Sequence, residues 1–253
     1  MRKRKKMVLI TGGTSGIGLE LAKKFVKEGY DVVLTASGRE RLIQAKILLK
    51  RINPESRVEL ICQDLSEGGA AERIYQKTVQ KDLVIDILVN NAGIGMVGEA
   101  VANEREKEEN MLRVNIQALT QLCGCFLKDM YQRGHGKVLN VASVGAFMPG
   151  PYTAVYYASK AYVASYSRAL RYEAAGKGVQ VCTLYPGTTR TQFFRRAGSA
   201  TPFWAMSPER VAKVAYKGLM KNKEMIVPGL MNRFLRLIPV KWKLLGVALI
   251  KKS

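Results

Sequence analysis

Tyr156 and Lys160 stand four residues apart in the stretch Tyr156-Tyr157-Ala158-Ser159-Lys160, which reads as the start of a helix, so both side chains share one face. A free phenol has a pKa of about 10 and is a poor base at neutral pH. An ammonium beside it favours the phenolate and is expected to lower that value. A phenol tuned this way can give a proton to a carbonyl oxygen while hydride reaches the carbon, or take one back from an alcohol. Ser143, upstream at the end of an apolar run, can hydrogen-bond the same oxygen and stabilise a developing alkoxide. Tyr157 reads as a packing aromatic.

Positioning those groups takes rigid elements. Short apolar runs at Met7–Ile10, Asp31–Leu34, Val58–Cys62, Ile85–Val89, Lys137–Val141, Val179–Leu184 and Met225–Val227 read as strands. Between them, helical spacing covers Ile17–Glu28, Arg39–Lys50, Gly69–Lys81, Glu104–Met130 and Tyr156–Ala175, and Ser207-Pro208-Glu209 opens a further helix. Continuous rather than alternating apolar strands imply burial on both faces, as in a parallel sheet. Strands alternating with helices imply right-handed crossovers and a doubly wound sheet, with ligands beyond the C-terminal strand ends. The expected fold class is therefore α/β: one Rossmann-type domain over residues 1–253, its mainly parallel sheet flanked by helices. A substrate lid is expected at about 188–210, and a basic, hydrophobic C-terminal extension at about 229–253.

The first strand runs into Thr11-Gly12-Gly13-Thr14-Ser15-Gly16-Ile17-Gly18, a variant of the dinucleotide fingerprint. Gly12 permits a tight turn, Gly16 lets backbone approach a pyrophosphate, and Gly18 allows helix and sheet to pack closely. The following helix, opening at Ile17, offers free N–H groups and a positive dipole end, and Thr14 and Ser15 add hydroxyls. An ordinary glycine-rich turn has the same composition; the strand before and the helix after argue for the cofactor. The second strand ends Leu34-Thr35-Ala36-Ser37-Gly38-Arg39, without the carboxylate that would hold a ribose 2′-hydroxyl. Ser37 and Arg39 could accept a 2′-phosphate, which favours NADP(H) over NAD(H), although Arg39 could equally be a solvated first-turn residue.

Taken with Asp64-Leu65, Asn90-Asn91-Ala92-Gly93, Asn115 and Pro186-Gly187, in that order along nearly the whole chain, these motifs resemble the short-chain dehydrogenase/reductase family. The resemblance implies that Asp64 meets the adenine amino group with Leu65 packed beside it, and that Asn90, Ala92 and Gly93 line the cofactor floor. It implies that Asn115 bends its helix and helps hold a water relay to Lys160, which also binds the nicotinamide ribose. Pro186, Gly187, Thr189 and Thr191 would grip the nicotinamide and the phosphates. Catalytic Asn115, Ser143, Tyr156 and Lys160, a carbonyl or alcohol substrate and a homo-oligomer, dimer or tetramer, follow from the same likeness. A non-catalytic NADP(H)-binding scaffold or sensor at a membrane surface is the alternative.

Composition sets the remaining bounds. Hydrophobic residues make up 47% of the 253, and 41 Lys+Arg against 20 Asp+Glu leave a formal net charge of +21. Part of the excess lies in Arg2, Lys3, Arg4, Lys5 and Lys6 and in Arg233, Arg236, Lys241, Lys243, Lys251 and Lys252, with no acid from Gly229 onward. Such a field suits anionic partners, but no nucleic-acid-binding motif accompanies it, so nucleic acid is not expected. Interleaved apolar residues (Phe234, Leu235, Ile238, Trp242, Leu245, Leu249, Ile250 among them) leave three readings of the tail: cover for the pocket or a subunit interface, contact with an anionic membrane surface, or packing on its own domain. Phe193, Phe194, Phe203, Trp204 and Met206 in the lid suggest a bulky apolar substrate, such as a steroid or keto-lipid, while Arg195 and Arg196 read as exposed lid charges. Cys62, Cys123, Cys125 and Cys182 read as buried small hydrophobes in a reducing, cytoplasmic setting, with a place at the membrane periphery left open by the basic tail. The lone His135 reads as a solvated turn residue, which argues against a hydrolytic triad and a histidine-ligated metal. No signal peptide and no spanning helix are expected.

Overall fold

In a computed structural model of the chain, residues 4–198, 201–235, 237–244 and 247 are described. Expectations for Arg2, Lys3, Arg236, Leu245, Leu249, Ile250, Lys251, Lys252 and the side chains of Phe194 and Arg196 lie outside the described residues. The apolar runs form strands β1 (Met7–Thr11), β2 (Asp31–Ala36), β3 (Val58–Cys62), β4 (Ile87–Asn90), β5 (Gly136–Val141), β6 (Val179–Leu184) and β7 (Met225–Ile226). They make one seven-stranded sheet in the order β3-β2-β1-β4-β5-β6-β7, every pair parallel. The connections carry helices α1 (Gly16–Lys27), α2 (Arg39–Ile52), α3 (Ala70–Gln80), α4 (Arg105–Leu112), α5 (Leu119–Arg133), α6 (Ala154–Ala174), α7 (Gln192–Arg196), α8 (Pro208–Met220) and α9 (Leu230–Leu235).

Strand alternation explains why the apolar runs are unbroken. Val8, Ile10, Leu34 and Leu139 point to the face covered by α1, α2 and α8, where Leu21, Leu42 and Val211 complete one core. Met7, Leu9, Val33, Leu88 and Val138 point to the opposite face, where Ile74, Phe126 and Val163 from α3, α5 and α6 complete the other. The expected single Rossmann-type sheet is therefore present, buried on both sides.

Two local expectations change. The helix expected over Glu104–Met130 is interrupted by a π-helical turn at Arg113–Ala118, which joins α4 to α5 and carries Asn115. One extra residue per turn rotates Asn115 out of α-helical phase, so spacing alone could not place it. Of the cysteines, Cys123 and Cys182 are buried, Cys125 is half-buried and Cys62 is exposed. Cys62 ends β3, an edge strand with one neighbour, so its outer side meets solvent. His135 is exposed, as expected, with Nδ1 3.0 Å from the Arg133 carbonyl oxygen. Among the described residues no helix is long and apolar enough to cross a membrane, and no cluster of His, Cys, Asp and Glu could hold a metal ion.

Candidate active site

A cleft of about 1520 Å³ lies across the C-terminal ends of the central strands. Its floor is the switch point between β1 and β4, where chain crossovers leave to opposite sides. Thr11 ties this point together: its Oγ1 accepts from the backbone N–H groups of Asn91 and Ala92, each at 2.9 Å. Gly12, Thr14, Ser15, Gly16 and Ile17 line the cleft. Ser15, the N-cap of α1, has extended backbone and makes no side-chain cap bond, so the first-turn N–H groups keep their donors for a ligand. Gly16 has φ of +55°, and a Cβ there would stand 2.9 Å from Thr191 Cγ2. This bare backbone cradle at a helix N-terminus fits the pyrophosphate of a dinucleotide.

Gly18 does not line the cleft but makes the cradle possible. A Cβ at this position would come within 2.4 Å of both the Gly12 carbonyl oxygen and Asn91 Nδ2. Gly18→Ala is expected to cost about 3 kcal/mol through overpacking against fixed backbone. That corresponds to a fall in melting temperature of roughly 6–12 °C for a domain of this size. A calorimetric melt unchanged from the parent would show that the contact can relax.

At the adenine end, Ser37, Asp64 and Leu65 line the cleft, and Asp64 Oδ1 accepts from Ser66 N (2.9 Å) and Ser66 Oγ (2.8 Å). Two sequence expectations are corrected here. Arg39 is exposed and does not line the cleft, whereas Arg41 does. Two residues along a helix rotate a side chain by about 200°, so only one of the pair can face inward. Asn90 also does not line the cleft. It has the strand parity of Leu88 and is buried on the α5 side, its Nδ2 donating to Asn140 Oδ1 (2.9 Å) and to Cys123 Sγ (3.2 Å). Asn91, Ala92 and Gly93 are the cleft residues, Asn91 Nδ2 donating to the Thr11 carbonyl at 2.9 Å.

Ser143, Tyr156 and Lys160 lie together on the opposite wall. Ser143 caps a 3-10 turn at Val144–Phe147, its Oγ accepting from Gly145 N at 3.1 Å, and it hydrogen-bonds the Tyr156 hydroxyl. The half-buried Tyr156 ring rests against Phe193 of α7, with centroids 5.3 Å apart. Lys160 is buried, its Nζ donating to the Val141 carbonyl oxygen at 3.0 Å and standing 5.9 Å from the Tyr156 ring centroid. Asn115 sits behind them: its Nδ2 donates to the Ile94 carbonyl (2.9 Å) and to Ser159 Oγ (3.0 Å), and its Oδ1 accepts from Ile94 N (3.0 Å). A Cβ on Gly93 would lie 3.2 Å from Lys160 Nζ and 3.3 Å from Asn115 Oδ1, so both groups flank that one glycine.

The electrostatics reverse one expectation. The Tyr156 pKa is not lowered: burial pushes it up to about 12, and the Ser143 hydrogen bond only partly opposes this. Burial likewise brings Lys160 down to about 8. The ammonium is bonded to a carbonyl and stands 5.9 Å from the centroid of the phenol ring, and at that range desolvation outweighs attraction between the two. At neutral pH the phenol is thus protonated, in the form that donates.

Pro186, Gly187, Thr189 and Thr191 line the cleft after β6, with Thr189 Oγ1 donating to the Gly187 carbonyl at 2.9 Å. A bridge between Thr189 and Met206 closes the base of the expected lid. The far end is lined by Phe193, Trp204, Leu235, Ile238, Trp242 and Lys243, so the tail forms part of the wall. Lys243 Nζ donates to the Phe147 carbonyl at 3.2 Å, fastening the tail to the turn after Ser143. Sequence reasoning gave no site role to Arg41, named Asn91 only within the Asn90-Asn91-Ala92-Gly93 motif, and counted Lys243 only among the basic tail residues. The second Asn of the Asn90-Asn91 pair and the helical phase of α2 held usable signals; a tail lysine reaching Phe147 left none.

A family model described as short chain dehydrogenase matches residues 6–201. The chain is 31% identical over 230 residues to a 7beta-hydroxysteroid dehydrogenase of Clostridium sardiniense, covering 89% of this chain and 86% of that one. Among solved structures it is similar to a short-chain dehydrogenase from Sphingobium yanoikuyae in complex with NADPH. Identity there is 30% and TM-score 0.85, over 96% of this chain and 93% of that one. It is also similar to a bulky-bulky ketone specific alcohol dehydrogenase from Comamonas testosteroni, with 26% identity, TM-score 0.81 and coverage of 97% and 92%. Because the family model takes in most of the chain, one assignment follows: this protein belongs to the short-chain dehydrogenase family, oxidoreductases that work on CH–OH and C=O groups with a nicotinamide cofactor.

Proposed function

We propose that the protein is an NADP(H)-dependent reductase of bulky apolar ketones, of the steroid or keto-lipid class. The observation that carries this reading is the shared cleft, in which Ser143 and Tyr156 face an end lined by Phe193, Trp204, Ile238 and Trp242. The nicotinamide, when bound, supplies the hydride or accepts it. Tyr156 gives its phenolic proton to the carbonyl oxygen, Ser143 holds that oxygen by a hydrogen bond, and Lys160 stabilises the phenolate left behind. The raised Tyr156 pKa supports the reductive direction, because the donor form is populated at neutral pH. Relatives named for hydroxysteroids and for bulky ketones support the substrate class.

The choice of NADP(H) is supported by Ser37 just after β2, by Arg41 in the first turn of α2, and by the absence of an acid from Leu34 to Arg39. Losing a charge-assisted bond to the 2′-phosphate should lower the NADPH-over-NADH preference about 10- to 100-fold in Arg41→Ala. Arg39→Ala should leave that ratio in place. Initial rates with both cofactors over a panel of steroid, keto-lipid and small ketones test the whole reading. Equal use of NADH, or fastest turnover of small polar ketones, would overturn it.

A further inference from the structure

We infer that the rim of the cleft docks on the surface of an anionic phospholipid bilayer. Two segments make this rim, the residues around Phe203 and Trp204 and the described residues of 230–235 and 237–244. They lie side by side, since a Cβ on Gly229 would meet Met206 Cε at 2.9 Å, and Trp204 and Trp242 line the same cleft. Their outward side chains are large and apolar: Phe203 is 88% exposed and Met231 85%, with Trp204, Phe234, Leu237 and Trp242 also exposed. Scattered exposed hydrophobics are ordinary, but this many on two adjoining segments mark a contact surface.

The charge around the patch identifies its partner. From Tyr185 to Pro208 the sequence has three arginines and no acid, and from Gly229 to Ser253 six basic residues and no acid. Arg195, Arg233 and Lys241 are exposed beside the apolar side chains. Aromatic rings with flanking cations match the headgroup level of a bilayer bearing anionic lipid, where rings sit at the interface and cations meet phosphate. The Lys243 bond to Phe147 holds the tail against the body, so docking needs no rearrangement of the cleft. Passage of an apolar ketone from the bilayer into the cleft would follow, and that clause alone rests on the proposed substrate class.

The chain has two tryptophans, Trp204 and Trp242, and both lie on this rim, so tryptophan emission reports docking directly. The full-length protein is titrated with phosphatidylcholine vesicles with and without phosphatidylglycerol, carrying brominated acyl chains. With phosphatidylglycerol the emission should shift to the blue and be quenched, and raising the salt should reverse both. Arg233→Gln and Lys241→Gln should each weaken partitioning about fivefold. Phe234→Asp should weaken it further with an unchanged melting temperature, because that side chain is exposed. No quenching by vesicles containing phosphatidylglycerol would overturn the proposal, as would equal quenching by phosphatidylcholine alone. A blue shift that grows with protein concentration without vesicles, with a dimer in sedimentation, would assign the patch to a second copy instead. The readout needs neither cofactor nor ketone, so failure of ketone reduction and failure of docking are separately visible.

Discussion

Tyr156→Phe should lower kcat for ketone reduction about a thousandfold or more while NADPH still binds. The substitution deletes one oxygen and keeps the ring, so the contacts with Phe193 and Tyr157 persist. What is lost is the proton donor, and positioned general acids contribute about 100- to 10,000-fold. Ser143→Ala should cost less, about a hundredfold, since the phenol still reaches the oxygen. Cofactor binding, followed by NADPH fluorescence, separates a chemical defect from a collapsed cradle. Appreciable turnover by Tyr156→Phe would remove this residue from the reaction and revive the reading of a cofactor-binding scaffold.

Lys160→Met should do two opposite things: stop turnover and stabilise the fold. Burial brings the Lys160 pKa from 10.5 to about 8, so the folded state holds this proton less tightly than the unfolded chain. The penalty is complete below about pH 8 and is relieved as pH climbs from about 8 to 10.5, because there the unfolded state binds more protons. Its upper bound is about 3 kcal/mol. The charge-assisted bond to Val141, which methionine cannot make, offsets part of that, leaving a gain of about 1 kcal/mol near neutral pH. The variant should therefore melt roughly 2–4 °C higher near neutral pH, with the difference shrinking towards pH 10.5. A variant that melts lower at neutral pH would mean that the lysine is a net stabiliser. In the parent protein kcat/KM for reduction should decline above about pH 8, as the ammonium that stabilises the phenolate is lost. Tyr156, raised to about 12, stays protonated through that range.

The strands were legible because each is an unbroken apolar run, and a parallel sheet buried on both faces demands that pattern. The Ser143, Tyr156 and Lys160 group was legible from residue types and helical spacing. What spacing could not give was phase and environment. Arg39 was the nearer cation to Ser37, yet helical rotation turns Arg41, not Arg39, into the cleft. Asn90 shares a motif with Asn91, yet strand parity sends its side chain to Asn140 and Cys123. The sign of the Tyr156 shift depends on how densely the phenol is surrounded and on where the Lys160 ammonium finds its acceptor. The Val141 carbonyl that takes it belongs to a different element. Lys243 reaches Phe147 across 96 positions, beyond any local pattern.

The hydroxyl of Thr11 joins backbone groups 80 and 81 positions later in the chain. Closing so long a loop is slow and entropically costly, and nothing local rewards it in advance. During synthesis, β1, α1 and β2 emerge well before Asn91 does, so the nascent chain carries the glycine turn without the backbone that completes it. Anion binding at this turn is consequently acquired late, when β4 docks beside β1. A ligand that recognises only the finished cradle would then act by mass action on folding itself, favouring the state in which this closure is made.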